Sequence, residues 1–239
     1  MNISSKMTIA YFNLVYNRLY DSTTARLAPY QRWQGACLGK FRLDNGNKVL
    51  CAGVGTGNEI VSILGINSEL DIVGVDSSDT ALRRAHKKAS AHGKEIELLT
   101  MDVQNLDFTS ESFDKVLCLH VMDFIEDKRK TTVELLRVLT KGGQFVITYP
   151  SAKEGATLAL NLLKESISHN TNAGKYGRML SGLLTTMSGG LVYLPLMFRT
   201  GQKPCSRSEL ETIFHEVGVA DFKIEDYPVY CDFIVYGKK

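Results

Sequence analysis

The sequence predicts an α/β fold: an open, mostly parallel sheet with helices on both faces, finished by an antiparallel pair of strands. Three observations predict it. Residues Asn47–Glu59, N-K-V-L-C-A-G-V-G-T-G-N-E, read as a buried strand, a glycine turn and the start of a helix. Short apolar runs and helical-period segments then alternate from Lys48 to Tyr149, the pattern of right-handed βαβ units. Two later runs, Phe222–Asp226 and Cys231–Tyr236, are separated only by a turn around Tyr227-Pro228, which suits an antiparallel pair.

Taken in order, the first forty residues read as two helices. Ile9, Phe12, Tyr16 and Leu19 share one face, and Tyr30, Trp33 and Cys37 share another after a break at Pro29. An aromatic stripe of this kind is expected to pack a core. Asp44-Asn45-Gly46-Asn47 is a turn into the first strand. After the glycines, Ile60, Ile63 and Leu64 mark a helix with Asn58 as its expected N-cap. The second strand is Asp71–Asp76, followed by a Ser77-Ser78-Asp79 cap and a helix with Leu82, Ala85 and Ala89 inward and Gly93 as its stop. Its other face, Arg83, Arg84, His86, Lys87 and Lys88, reads as solvated.

Glu95–Thr100 and Lys115–Leu119 are the third and fourth strands. Thr131-x-x-Glu134 has capping-box form in a helix expected to end at Lys141-Gly142-Gly143, before a fifth strand at Gln144–Tyr149. Ser151–Pro204 breaks the rhythm with a long apolar insertion. Ser206-x-x-Glu209 opens one more helix, with Leu210, Ile213, Phe214 and Val217 inward and Gly218 at its end. The expected organisation is an N-terminal helical cap (1–46), a core (47–150 and 205–239) and a helical lid (151–204).

Size and composition narrow the function. A chain of 239 residues that is 44% hydrophobic buries a full core. A net charge of +2 lacks the concentrated basic surface that phosphate backbones require, so no nucleic-acid partner is expected. The five cysteines, Cys37, Cys51, Cys118, Cys205 and Cys231, are widely spaced with no C-x-x-C. That pattern argues for a reducing cytosol and against a disulfide scaffold or a zinc site, and no metal is expected. No apolar run approaches a membrane span, and no signal-peptide core opens the sequence, so a cytoplasmic protein without an integral membrane segment is expected.

The glycine spacing separates two ligand classes. Dinucleotide folds use G-x-G-x-x-G, whereas Gly53, Gly55 and Gly57 are spaced one apart. The ordered series V-L-C-A-G-V-G-T-G, V-G-V-D-S-S, M-D-V-Q-N-L-D-F, S-F-D-K-V and L-L-R-V-L-T-K-G-G-Q-F-V-I resembles the class I S-adenosylmethionine-dependent methyltransferases, over about Lys48–Tyr149. The subgroup it resembles most is the ubiquinone/menaquinone-biosynthesis-like one (methyltransferase type 11). Two departures stand out: Thr140-Lys141 replaces a frequent lysine-proline, and Cys51 stands where an acidic residue is common.

The resemblance implies a Rossmann-like sheet of seven strands and S-adenosylmethionine as cofactor. It implies that Gly53, Gly55 and Gly57 give amide and steric access to the methionine and ribose parts, and that Asp76 accepts from both ribose hydroxyls. Ser77 would flank the adenine, Asp102 would take its amino group, and Val103 would supply an amide and an apolar contact. Leu119 and His120 would stand beside the sulfonium, with His120 the first candidate for a catalytic base and His169 and Tyr149 weaker ones. A substrate pocket would draw on Tyr16, Tyr20, Tyr149, Leu184, Met187 and Tyr193. The expected reaction is methyl transfer to a small, hydrophobic acceptor, a quinone or secondary metabolite, with a homodimer admitted. Alternatives are a phospholipid-headgroup methyltransferase at a membrane surface and a non-catalytic cofactor-binding scaffold.

Overall fold

Alternation of side chains across the strands generates two hydrophobic layers. In β1 (Lys48–Ala52), Val49 and Cys51 enter one layer while Leu50 and Ala52 enter the other, as a two-residue period requires. The computed structural model describes Asp21, residues 28–151, Leu160, Asn161, Lys164 and residues 203–239. Beside β1 it contains β2 (Asp71–Asp76), β3 (Glu97–Thr100), β4 (Phe113–Cys118), β5 (Leu139–Pro150), β6 (Asp221–Tyr227) and β7 (Asp232–Lys238). They form one seven-stranded sheet in the order β3-β2-β1-β4-β5-β7-β6. The first five strands pair in parallel, and β7 runs antiparallel to both β5 and β6. The expected fold class is therefore observed.

Helices cover both faces. The aromatic face of α1 (Ala28–Leu38), with Trp33 and Cys37, joins α2 (Asn58–Ile66) and α3 (Asp79–Ala91) over one layer. Leu135 and Leu136 of α4 (Lys128–Val138) and Leu210 and Phe214 of α5 (Arg207–Glu216) cover the other. Burial on both faces explains why the central strands read as continuous apolar runs. All five cysteines are free and buried.

The expected caps hold at two helices and fail at two others. Ser78 caps α3 through the Ala81 amide, and Ser206 with Glu209 forms the full capping box of α5. Gly93 and Gly218 take positive φ just past their helices, the usual glycine stop. At α2 the N-cap is Gly57, left-handed and without a side-chain cap, because the Asn58 Oδ1 accepts from Lys88 Nζ instead. Helix α4 starts earlier than expected, capped by Asp127; Thr131 lies inside it and donates to the Asp127 carbonyl.

The same helix also ends earlier, at Val138, and β5 runs straight through Lys141-Gly142-Gly143. The cause is tertiary: the Gly142 amide donates to the Lys239 carbonyl and the Lys239 amide to the Gly143 carbonyl. Pairing with a distant strand end thus overrides the local glycine stop. The expected bounds of β2 hold, and the ends of the remaining strands match or shift by one or two residues.

One side-chain hub ties α4 to the loop after β3. Arg137 donates to both oxygens of Glu134 at 2.8 Å and to the carbonyls of Leu106 and Phe108, while Glu134 accepts from the Leu106 amide at 2.7 Å. The Arg137 hydrogen bonds hold the Glu134 carboxyl below its usual range. A carboxyl with a depressed folded pKa adds stability above its unfolded value, near 4.3, and loses it as pH falls through the folded one. Arg137→Leu is therefore expected to cost about 2 kcal/mol at pH 7, as hydrogen bonds to charged groups do, and less at pH 3. Urea unfolding at both values checks this, and an equal loss at both would refute the Glu134 coupling.

Candidate active site at the carboxyl ends of the strands

The turn after β1 is glycine-rich for three separate reasons. Gly53, Gly55 and Gly57 all have positive φ, at 71°, 53° and 81°, where a Cβ is strained. A Cβ on Gly53 would stand 2.2 Å from Val121 Cγ2, and one on Gly57 would stand 2.8 Å from the Ala85 backbone. Those two glycines permit close packing. A Cβ on Gly55 would meet nothing within 4 Å, so Gly55 alone faces open space.

The amides of this turn are already engaged. Gly53 and Val54 donate to the Val75 carbonyl, Gly57 donates to the Val54 carbonyl, and Gly55 donates to Asp76 Oδ2 at 2.8 Å. The expectation that the three glycines offer amides to a ligand is corrected here: what the turn presents is the Cα surface of Gly55. Asp76, half-buried at the end of β2, also accepts from the Ser78 amide at 2.8 Å. Burial pushes its carboxyl up, against the lowering effect of these amides. The Ser77 amide adds a third such interaction; a carboxylate has about four lone-pair sites, so capacity remains for a ligand's hydroxyl.

The neighbouring strand ends complete an arc. Ser77 is exposed beside Asp76, and Asp102, exposed past β3, accepts from the Gln104 amide. Val103 and Leu119 are 6% exposed and form apolar ground. An open cradle at Gly55, a carboxylate with acceptor capacity and apolar neighbours fit a nucleoside-bearing cofactor, in the crevice where open α/β sheets bind ligands. Above the turn, Lys88 reaches Asp21 at 2.6 Å and Asn58 at 2.5 Å, and Asp21 accepts from Thr56 Oγ1. Lys88 is thus a clamp across the glycine turn rather than part of a solvated face.

His120, just past β4, has a left-handed backbone with φ 54°, held by its amide donating to Thr148 Oγ1 at 2.8 Å. Its ring stacks on Trp33, centroids 3.9 Å apart, with Tyr230 at 5.5 Å and Tyr30 beyond Trp33. Its Nδ1 lies 3.5 Å from Asp232 Oδ2 and 3.7 Å from Asp123 Oδ2, both carboxylates being buried. Sequence reading missed these two acids, which are remote from each other in the chain. It also missed Glu59, which accepts from the Tyr30 hydroxyl and whose charge is felt at Cys51. Only the vacated acidic position at Cys51 could have prompted a search for Glu59.

Tyr149 does not belong to this opening. It is fully buried on the α4 side, its hydroxyl bonded to Thr132, and burial pushes its pKa well up. That corrects its assignment to the pocket and as a base: alternation along β5 turns it away. Tyr16, Tyr20, Leu184, Met187, Tyr193 and His169 lie outside the described residues. His86 pairs with Glu95 on α3, and His215 packs on Phe222, both away from the arc.

Comparison with known proteins accords with this geometry. A family model for the methyltransferase domain matches residues 50–147. The chain is 34% identical over 143 residues to a phosphatidylethanolamine N-methyltransferase of Cereibacter sphaeroides, spanning 59% of this chain and 68% of that protein. It is 31% identical over 110 residues to a demethylmenaquinone methyltransferase of Thermus thermophilus, spanning 46% of this chain and 50% of that one. Its fold is like that of Haemonchus contortus phosphoethanolamine N-methyltransferase 2 in complex with S-adenosyl-L-methionine, with a TM-score of 0.57, 20% identity, and 82% and 38% of the two chains covered. Among the described residues, no helix is long and apolar enough to cross a membrane. With its glycine turn, strand-end carboxylate and sheet order, the chain belongs to the class I S-adenosylmethionine-dependent methyltransferases of the ubiquinone/menaquinone-biosynthesis-like type.

Proposed function

We propose that the protein methylates a small hydrophobic acceptor that lies against His120 at the carboxyl end of β4. The observation that carries this reading is the His120 ring, partly exposed at the strand end and backed by a buried aromatic cluster of Trp33, Tyr230 and Tyr30. Aromatic walls favour flat apolar ligands, such as a prenylated ring, that bury much of their surface. The demethylmenaquinone methyltransferase relative supports an acceptor of that class.

The cofactor, S-adenosylmethionine, supplies an electrophilic methyl group. The residues of this chain bind it and aim the acceptor. In this reading Asp76 accepts from the ribose hydroxyls, and Gly55 gives the cofactor a surface without a side chain. Ser77, Asp102 and Val103 surround the adenine, and Leu119 adds apolar ground at the end of β4. Glu59 provides the carboxylate that Cys51 cannot. His120 lines the acceptor side, where alignment of two reactants is worth about 7–11 kcal/mol.

A second reading, a phospholipid headgroup as acceptor, is favoured by the identity to the phosphatidylethanolamine N-methyltransferase. Incubation with methyl-labelled cofactor and an extract of the source organism separates the two. Label in the organic phase that migrates away from phospholipids supports the first, label in a phospholipid supports the second, and label only in water-soluble products refutes both.

Four substitutions test the residue roles. Asp76→Ala is expected to weaken cofactor binding about tenfold or more by calorimetry while leaving the far-ultraviolet spectrum intact; unchanged affinity would remove it from the ribose. Gly55→Ala is expected to lower cofactor affinity with a stability loss of about 1–2 kcal/mol from its positive φ. Gly57→Ala should lose more stability, because its Cβ meets backbone; the reverse order would refute this division of labour. His120→Ala is expected to reduce turnover more than cofactor affinity, and equal turnover would take it out of the reaction.

A further inference from the structure

Three groups that could ligate a metal converge beside the cofactor arc. Nδ1 of His120 and carboxylate oxygens of Asp123 and Asp232 all lie within 4.8 Å of one another. They come from the end of β4, the loop after it and the first residue of β7. Asp123 and Asp232 have 3% and 1% of their side-chain surface exposed. Among the described residues, neither oxygen of Asp123 accepts a hydrogen bond, and no lysine or arginine forms an ion pair with it.

A buried carboxylate in that condition is expensive unless a cation compensates it. Protonation of His120 would set one positive charge 3.7 Å from Asp123. The spacing suits a smaller and more highly charged occupant. Donors about 2.1 Å from a tetrahedrally bound metal stand about 3.4 Å apart, and the measured separations from Nδ1 are 3.5 and 3.7 Å. The backbone is strained on both sides of the cluster: His120 and Cys231, the residue before Asp232, have φ of 54° and 55°. The Trp33 stack fixes the plane of the imidazole and so the direction of its donor nitrogen.

We propose that His120, Asp123 and Asp232 bind a divalent first-row cation. One imidazole and two carboxylates are a mixed nitrogen–oxygen set, suited to Mn²⁺, Fe²⁺, Co²⁺ or Zn²⁺ rather than to soft or purely oxygen-loving ions. Three protein ligands leave at least one coordination position, as in catalytic metal sites. On the methyl-transfer reading, which this second half rests on, that position takes a hydroxyl oxygen of the acceptor. The bound cation lowers the hydroxyl's pKa; its O–H bond breaks, the metal–oxygen bond forms and the proton passes to water. His120 is then a ligand, and no protein base is needed.

Trp33 is the chain's single tryptophan, so its emission reports directly on this cluster. The full-length protein, stripped with EDTA, is titrated with Co²⁺ while tryptophan fluorescence is followed. Saturable quenching at one equivalent, reversed by EDTA and weakened about tenfold or more in Asp123→Asn, is the expected result. Absence of saturable quenching, or unchanged quenching in a folded Asp123→Asn variant, overturns the proposal. Should that variant fail to fold, Mn²⁺ bound to the wild-type protein decides the matter by pulsed electron paramagnetic resonance. A coupled histidine ¹⁴N at one equivalent, lost when Co²⁺ displaces the Mn²⁺, supports it; a bound Mn²⁺ without ¹⁴N coupling overturns it. Calorimetry with S-adenosylhomocysteine on the same samples keeps a failure of the cofactor reading distinct from a failure of metal binding.

Discussion

The groups of the cofactor site stand at one edge of the sheet because β1 pairs in parallel with both β2 and β4. Parallel strands point the same way, so their carboxyl ends share an edge, and each helical return leaves that edge open. Gly53, Asp76, Asp102 and Leu119 are brought together by this constraint before any side-chain contact forms. The Gly55 amide bonded to Asp76 then locks the turn of β1 to the end of β2, so the glycine loop and the carboxylate are positioned as one unit. Arg137 and Glu134 extend the same tie to the loop after β3.

Local chemistry was legible where one stretch of chain decides its own conformation. The strand, glycine turn and helix at Asn47–Glu59, the Ser78 cap and the Ser206–Glu209 capping box each declare themselves within a few residues. Legibility failed where a distant partner decides. Lys141-Gly142-Gly143 has the composition of a helix stop, yet hydrogen bonds to Lys239 draw it into β5. Asn58 has the side chain of an N-cap, yet Lys88 takes its oxygen.

The same reasoning separates the two halves of the site. The cofactor half is written in contiguous motifs, and Asp76 is recognisable from its place at a strand end. The half around His120 is assembled from α1, the end of β4 and the start of β7, and no spacing in the chain announces that Asp123 and Asp232 meet one imidazole. Tyr149 shows the opposite error: its neighbourhood in sequence suggests the opening, but one step of strand alternation points it into the core against Thr132. A left-handed non-glycine residue costs about 1–2 kcal/mol, and the fold retains two of them around the three converging donors.

The place of β7 carries a consequence for synthesis. Translated after β6, it lies between β5 and β6 in the sheet, so β6 cannot dock until residues 232–238 have left the ribosome. Until then β5, whose later residues are all buried in the finished fold, presents an unpaired apolar edge. Such edges template pairing between chains. A nascent chain stalled near Tyr227 would therefore be a strong client for chaperones, and Asp232, emerging with β7, would be among the last contributors to the site to arrive.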